Sequence, residues 1–149
     1  MALDKLQFDR TEAAPGTFST DMLNRIEEWT AFLTDKLRGY GYWANITPRN
    51  VERPQAEEPL NPALWYQSDI PTRGEIDRIR RNVDALQTGF ARLPDWREIL
   101  YNNTVDFGQA NALEWDLQRI YDWMNAMATA FLTRQANTIF MQAGGIFNA

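Results

Sequence analysis

Carboxylates are the side chains of this sequence best placed to do chemistry, because its 149 residues include no His and no Cys. That removes Ser-His-Asp and Cys-His catalysis, imidazole and thiolate metal sites, and disulfides. Serine occurs only at Ser19 and Ser68, each ahead of an expected helix start. Two adjacent acid pairs remain, Glu27-Glu28 and Glu57-Glu58. Neighbours on a helix point about 100° apart and do not share a site. Glu57-Glu58 falls in a proline-rich stretch and reads as solvated. No D-x-[DN]-x-[DN]-G calcium loop occurs, and Gly144-Gly145 lacks the G-x-x-x-x-G-K frame of a phosphate loop. A glycosidase-like acid pair brought together by folding is the one catalytic arrangement left open. The expectation is no enzyme, with no catalytic residue, cofactor or metal.

The elements that would position any site read as helices. An apolar content of 44% with six Trp predicts a folded chain, long enough for one domain with a real core. The net charge of −5 disfavours nucleic acid as a partner. The basic cluster Arg78, Arg80 and Arg81 is offset by Glu75, Asp77 and Asp84 and reads as a solvated helix face. The opening MALDKLQFDRTEAAPG has neither the basic nor the apolar region of a signal peptide, and no apolar run approaches the ~20 residues that span a bilayer. The expectation is synthesis in the cytoplasm without a signal peptide, and no membrane partner.

A first helix is expected over Thr20 to Arg38, capped by Ser19 or Thr20, with Met22, Ile26, Trp29, Leu33 and Leu37 on one face and Gly39 as its stop. A second is expected over Arg73 to Ala91, opened by a Thr72/Glu75 capping box, with Ile76, Ile79, Val83, Leu86 and Phe90 at helical spacing. A short helix is expected over Pro94 to Tyr101, then a break at Asn102-Asn103. The third runs over Phe107 to Gln142, with Asp106 and Gln109 at its start. Its seam is Leu113, Leu117, Ile120, Met124, Met127 and Phe131. Some 35 residues of helix span about 50 Å, more than a compact domain of this size. So the helix either breaks, near Arg134-Gln135, or packs against another chain. Gly144-Gly145 is the expected stop.

The stretch Tyr40 to Pro71 holds five of the seven prolines and the aromatics Tyr40, Tyr42, Trp43, Trp65 and Tyr66. It is too long and too aromatic for a free loop and should lie across the bundle. Within it, Tyr42, Ala44 and Ile46 alternate with Trp43, Asn45 and Thr47, as in a short β segment. The fold expected is mainly α, an irregular bundle of three principal helices with this long crossover. It forms a single domain over 1–149, with an N-terminal arm at 1–19, the crossover at 40–71 and a C-terminal tail at 143–149.

The three helix beginnings also resemble one another. Aligning Ile26, Ile79 and Leu113 places Asn24, Asp77 and Asn111 two residues earlier in each. Either amphipathic helices with good caps simply look alike, or the unit is duplicated and its Asn or Asp has a shared docking role. The offsets are not those of a regular solenoid.

The segments TDMLNRIEEWTAFLTDKLRGYGY, WYQSDIPTRGEIDRIRRNVDALQTGF and NTVDFGQANALEWDLQRI together resemble a group of phage and prophage structural proteins of Gram-positive, often gut-dwelling, bacteria. The resemblance rests on N-R-I-E at Asn24 to Glu27, a G-Y segment after the first helix, and W-x-x-x-D-I-P-T at Trp65, Asp69, Ile70, Pro71 and Thr72. The opening FDRTEAAPGTFST is similar to the start of tail or baseplate proteins. The similarity covers Phe8 to Tyr121. The chain departs from it at Asn111-Ala112-Leu113-Glu114, which stands where N-R-I-E would recur, and in lacking a repetitive shaft or receptor-binding domain. The resemblance implies a non-enzymatic, tail- or baseplate-associated component of the virion. It would pack against other phage structural proteins and against copies of itself, with a trimer favoured by the resemblance alone. Trp43, Trp65, Trp115, Trp123, Phe140 and Phe147 form the pool from which interface residues are expected. Two rival expectations are an intracellular helical adaptor or regulator, and a small carbohydrate-binding protein or hydrolase using a carboxylate pair.

Overall fold

The structure, a computed structural model, describes residues 3–13, 19–90, 93–101 and 106–147, with side chains up to residue 130. Three helices account for the regular structure: α1 (Thr20–Gly39), α2 (Arg73–Gly89) and α3 (Phe107–Phe147). The described residues include no strand. Each helix touches both others, so the fold is mainly α and consistent with a three-helix bundle.

The helices start where side-chain acceptors meet the first free N–H groups. Ser19 Oγ accepts from Met22 N at 3.2 Å, Thr72 Oγ1 from Glu75 N at 3.3 Å, and Asp106 Oδ1 from Gln109 N at 2.8 Å. Neither expected capping box closes on itself. The Glu75 carboxylate turns to Arg49 and Arg78, and the Gln109 amide oxygen accepts from Leu100 N at 3.0 Å. α1 ends as Tyr40 and Gly41 bond back to Leu37 and Arg38, with Gly41 at φ +90°, a conformation that costs glycine nothing.

The core is the set of seams read from the periodicity. Leu33, Leu37, Val83, Leu86, Leu117 and Ile120 are fully buried, and burying each is worth about 1.5–3 kcal/mol. Trp29 meets Phe32 and Tyr121 edge to face at ring separations of 5.8 and 5.2 Å. Its indole N–H reaches the Asp4 carbonyl at 2.7 Å.

Contacts along the helices show that all three run in the same direction. Near their starts, Arg25 pairs with Glu114 and Arg78 with Glu27. Further on, Phe32 lies by Tyr121, and the ends of α1 and α2 both meet residues 42–44. Parallel helices need a return path before each one, and an extended segment supplies it. Residues 3–13 run back along α1 and α3, residues 42–49 down α2, and residues 93–101 down α3. Gly89 lets the second segment pass: a Cβ there would stand 2.6 Å from the Trp43 carbonyl oxygen.

Several sequence expectations change. Residues 94–101 form a turn and an extended segment, not a helix. The N–H groups of Arg97 and Leu100 go to Asp116 and Gln109 on α3 instead of to a helical ladder. In YGYWANIT the expected alternation is present, with Tyr42, Ala44 and Ile46 half-buried and Trp43, Asn45 and Thr47 exposed. No β ladder forms, because a side chain takes both backbone groups of Thr47. α3 does not break near Arg134-Gln135 and does not stop at Gly144-Gly145. It continues to Phe147, so most of the expected tail at 143–149 is helix. The expected break at Asn102-Asn103 and residue 91 lie outside the described residues.

Candidate functional site

Each helix holds one residue of a non-helical stretch through an asparagine, in the same way. On α1, Asn24 Oδ1 accepts from Trp65 N at 2.8 Å and its Nδ2 donates to Trp65 O at 3.0 Å. On α2, Asn82 makes the same pair of bonds to Thr47, both 2.8 Å. On α3, Asn111 makes it to Arg10, at 3.1 and 2.8 Å. An extended residue outside a sheet leaves its N–H and C=O needing partners. One primary amide, donor and acceptor side by side, satisfies both.

A carboxylate three residues on completes two of these clamps, since positions i and i+3 share a helix face. Glu27 accepts from the Trp65 indole N–H at 3.1 Å and pairs with Arg78 of α2 at 2.8 Å. Glu114, fully buried, receives Arg10 at 2.6 Å, the Gln7 N–H at 3.2 Å and Arg25 of α1 in a two-pronged contact. Where N-R-I-E becomes N-A-L-E, the Asn and the Glu are therefore the parts retained. On α2 the third position is Ala85, and Arg78 substitutes by donating to Thr47 O at 2.9 Å. Asp77, aligned with Asn24 and Asn111 in the sequence, holds no segment among the described residues. It pairs with Arg80 at 3.0 Å and with Arg73 at 3.9 Å.

The crossover is tied down by a second ionic group. Arg49 lies 3.5 Å over the Trp65 ring and pairs with Asp69 and Glu75. Arg53 pairs with Asp69 at 2.6 Å and donates to the Leu64 carbonyl. The Arg53 hydrogen bond is the largest influence on the Asp69 carboxyl and lowers its pKa. Burial works against it, while the Tyr66 N–H and the charges of Arg53 and Arg49 add to the lowering.

A cleft of about 490 Å³ beside this group is lined by Asp21, Trp65, Tyr66 and Asp69. It comes nearest to an aromatic cleft flanked by two acids. Asp69 is unsuited to donate a proton, because its pKa is lowered where a general acid needs it raised. Trp65 presents almost no surface at 2% exposure. A second cavity, of about 180 Å³, is lined by residues of α1 and the crossover together with Asn82 of α2, and Asn24 is among the α1 residues. Among the described residues, no three acids are grouped to hold a metal ion.

Asp116 is the carboxyl with the strongest perturbation. Burial pushes its pKa up to about 8, opposed by the Arg97 N–H and charge and reinforced by Asp84 and Asp95. One of its oxygens accepts from Arg97 N at 2.9 Å, and the other has no donor. It lines neither of these two clefts, and its bond to Arg97 N fastens the 93–101 segment to α3.

The six aromatics singled out for interfaces fall in different places. Trp65 is core. Trp115 is half-buried, edge to face with Phe8 at 5.2 Å and under Arg97 at 4.2 Å. Trp43 is 70% exposed with Arg38 5.1 Å from its ring, and Trp123 is 44% exposed. The side chains of Phe140 and Phe147 lie outside the described residues. Sequence reasoning missed Asn82, Arg10 and Glu114. For Glu114 a signal was present, the repeated Asn-x-x-Glu spacing. No family model, curated protein or solved structure matches the chain.

Proposed function

We propose that this chain is a non-enzymatic structural or assembly component of a phage or prophage particle, associated with the tail or baseplate and acting by protein–protein packing. The observation that carries the reading is the set of segments resembling such proteins. Support comes from what their residues do here. Asn24 grips the Trp65 backbone, Asp69 accepts from Tyr66 N at 2.8 Å, and Thr72 caps α2. Residues shared for the sake of shape suit a part whose task is to hold shape. Exposed Trp43, Ile70 and Trp123 supply apolar anchors of the kind found at interface centres. Other structural proteins of the particle, and further copies of this chain, are the proposed partners, and the virion is the proposed location.

The test is a stop codon early in the gene within an inducible prophage. The expected result is particles with absent or malformed tails in negative-stain electron micrographs, restored when the gene is supplied in trans. Particles of normal number, shape and infectivity would overturn the assignment.

A further inference from the structure

A further cleft, of about 390 Å³, lies between the second half of α2 and the 93–101 segment. Among the described residues it is lined by Asp84 and Gln87 of α2 and by Leu93, Trp96, Glu98 and Ile99 of the segment. Asp84 and Gln87 are three residues apart and so share a helix face. Leu93 and Ile99 belong to the core, Asp84 and Trp96 are half-buried, and Glu98 is exposed.

The oxygens around this cleft are left unmatched by the chain. Among the described residues neither Asp84 nor Glu98 is in an ion pair. Arg97, between Trp96 and Glu98 in sequence, lies instead over the Trp115 ring at 4.2 Å. Gln87 is 7% exposed, and its Oε1 is buried with no donor among the described residues. A buried amide oxygen left so costs stability, and this one belongs to a side chain that lines the cleft.

Another part of the chain shows what such a set of groups holds. The Arg49 guanidinium lies 3.5 Å over the Trp65 ring, pairs with Asp69 and Glu75, and donates to the Leu64 carbonyl at 3.3 Å. Its partners are an indole face, two carboxylates and an amide oxygen. Trp96, Asp84, Glu98 and Gln87 are the same four kinds of group around one cleft. We infer that this cleft binds an alkylguanidinium, the chemistry shared by an arginine side chain of a partner protein and a free guanidino compound. A guanidinium carries its donors in one plane, stacks on aromatic faces, and is hydrated weakly enough to lie near Leu93 and Ile99. An ammonium is a strongly hydrated point charge and fits such walls less well. A calcium ion takes about six to eight oxygens, more than three side chains beside apolar walls supply. The inference goes beyond the packing reading and does not rest on it.

Titration of the isotope-labelled full-length chain with n-butylguanidinium, followed by amide and indole NMR, tests it. The Gln87 side-chain amide and the Trp96 indole, assigned by its loss in Trp96→Phe, should shift and saturate. n-Butylurea, of similar shape without the charge, should move neither. Asp84→Asn and Glu98→Gln should each weaken binding about fivefold or more. Glu57→Gln combined with Glu58→Gln, exposed acids of the crossover, should leave it unchanged. The peptide acetyl-Gly-Arg-Gly-amide separates the two sources. Shifts matching those of n-butylguanidinium point to an arginine of a partner, and binding of n-butylguanidinium alone points to a free compound. Shifts that do not saturate, or that n-butylurea reproduces, overturn the inference. So does binding that neither Asp84→Asn nor Glu98→Gln weakens, or that the Glu57 and Glu58 substitutions weaken as much, the mark of a general attraction to an acidic chain.

Discussion

Asp116 shows how a single residue fixes the conditions under which the fold is tight. Its folded pKa of about 8 lies above the 3.8 of an unperturbed carboxyl, so the native state keeps a proton that the unfolded chain releases. Its contribution to stability is fully present below the unfolded pKa and is lost as the pH rises through the folded one. A tenfold difference in proton affinity between the two states is worth about 1.4 kcal/mol, so the loss across that window is on the order of a few kcal/mol. Urea midpoints for the wild type should fall between pH 5 and pH 9. Asp116→Asn, which keeps an acceptor for the Arg97 N–H and cannot ionise, should flatten that slope and be the more stable protein at pH 9. Parallel slopes for the two proteins would show that Asp116 does not titrate in this range. None of this was legible in the sequence, where Asp116 is one acid among twenty acidic residues and its burial depends on the 93–101 segment folding over it.

At the scale of elements, the asparagine clamps explain both what the sequence disclosed and what it hid. The helices were readable because their caps and apolar spacings are local. α1 and α2 begin where expected and end within two residues of where expected. The segments between them were not, because their backbone groups pair with side chains far away in sequence, such as Trp65 with Asn24 and Arg10 with Asn111. Pro94 suggested a helix start, yet the N–H groups that a helix would use are held by α3. Asn24 and Asn111 stood out because each sits just inside a helix start. Asn82 did not, because it lies in the second half of α2, and Asp77 took its place in the alignment. Each clamp should act on its own segment. In hydrogen-exchange mass spectrometry, Asn82→Ala should speed exchange in peptides covering Thr47 and leave those covering Arg10 and Trp65 near wild-type rates. Asn111→Ala should do the reverse for Arg10. Exchange that accelerates uniformly in all three segments would mean that the clamps are not independent fastenings and that the bundle loosens as a unit.

At the scale of the bundle, the described residues form three parallel helices, each preceded by a segment running back along the bundle, with the α3 backbone extending past the ends of the other two. The fold class was legible in the sequence. The parallel arrangement was not, because helical periodicity carries no information about direction. Of the acids weighed for chemistry, Glu27 is an anchor within the bundle, holding the Trp65 indole and Arg78. The length of α3 and the exposed Trp43 and Trp123 suit the proposed role of packing against other proteins. The measurement that bears most directly on it is quantitative mass spectrometry of particles purified after prophage induction of the source strain. The expected result is this chain in intact particles at a fixed ratio to the tail proteins, retained through density-gradient purification. Intact particles that lack it, with the chain confined to the cell lysate, would contradict the account.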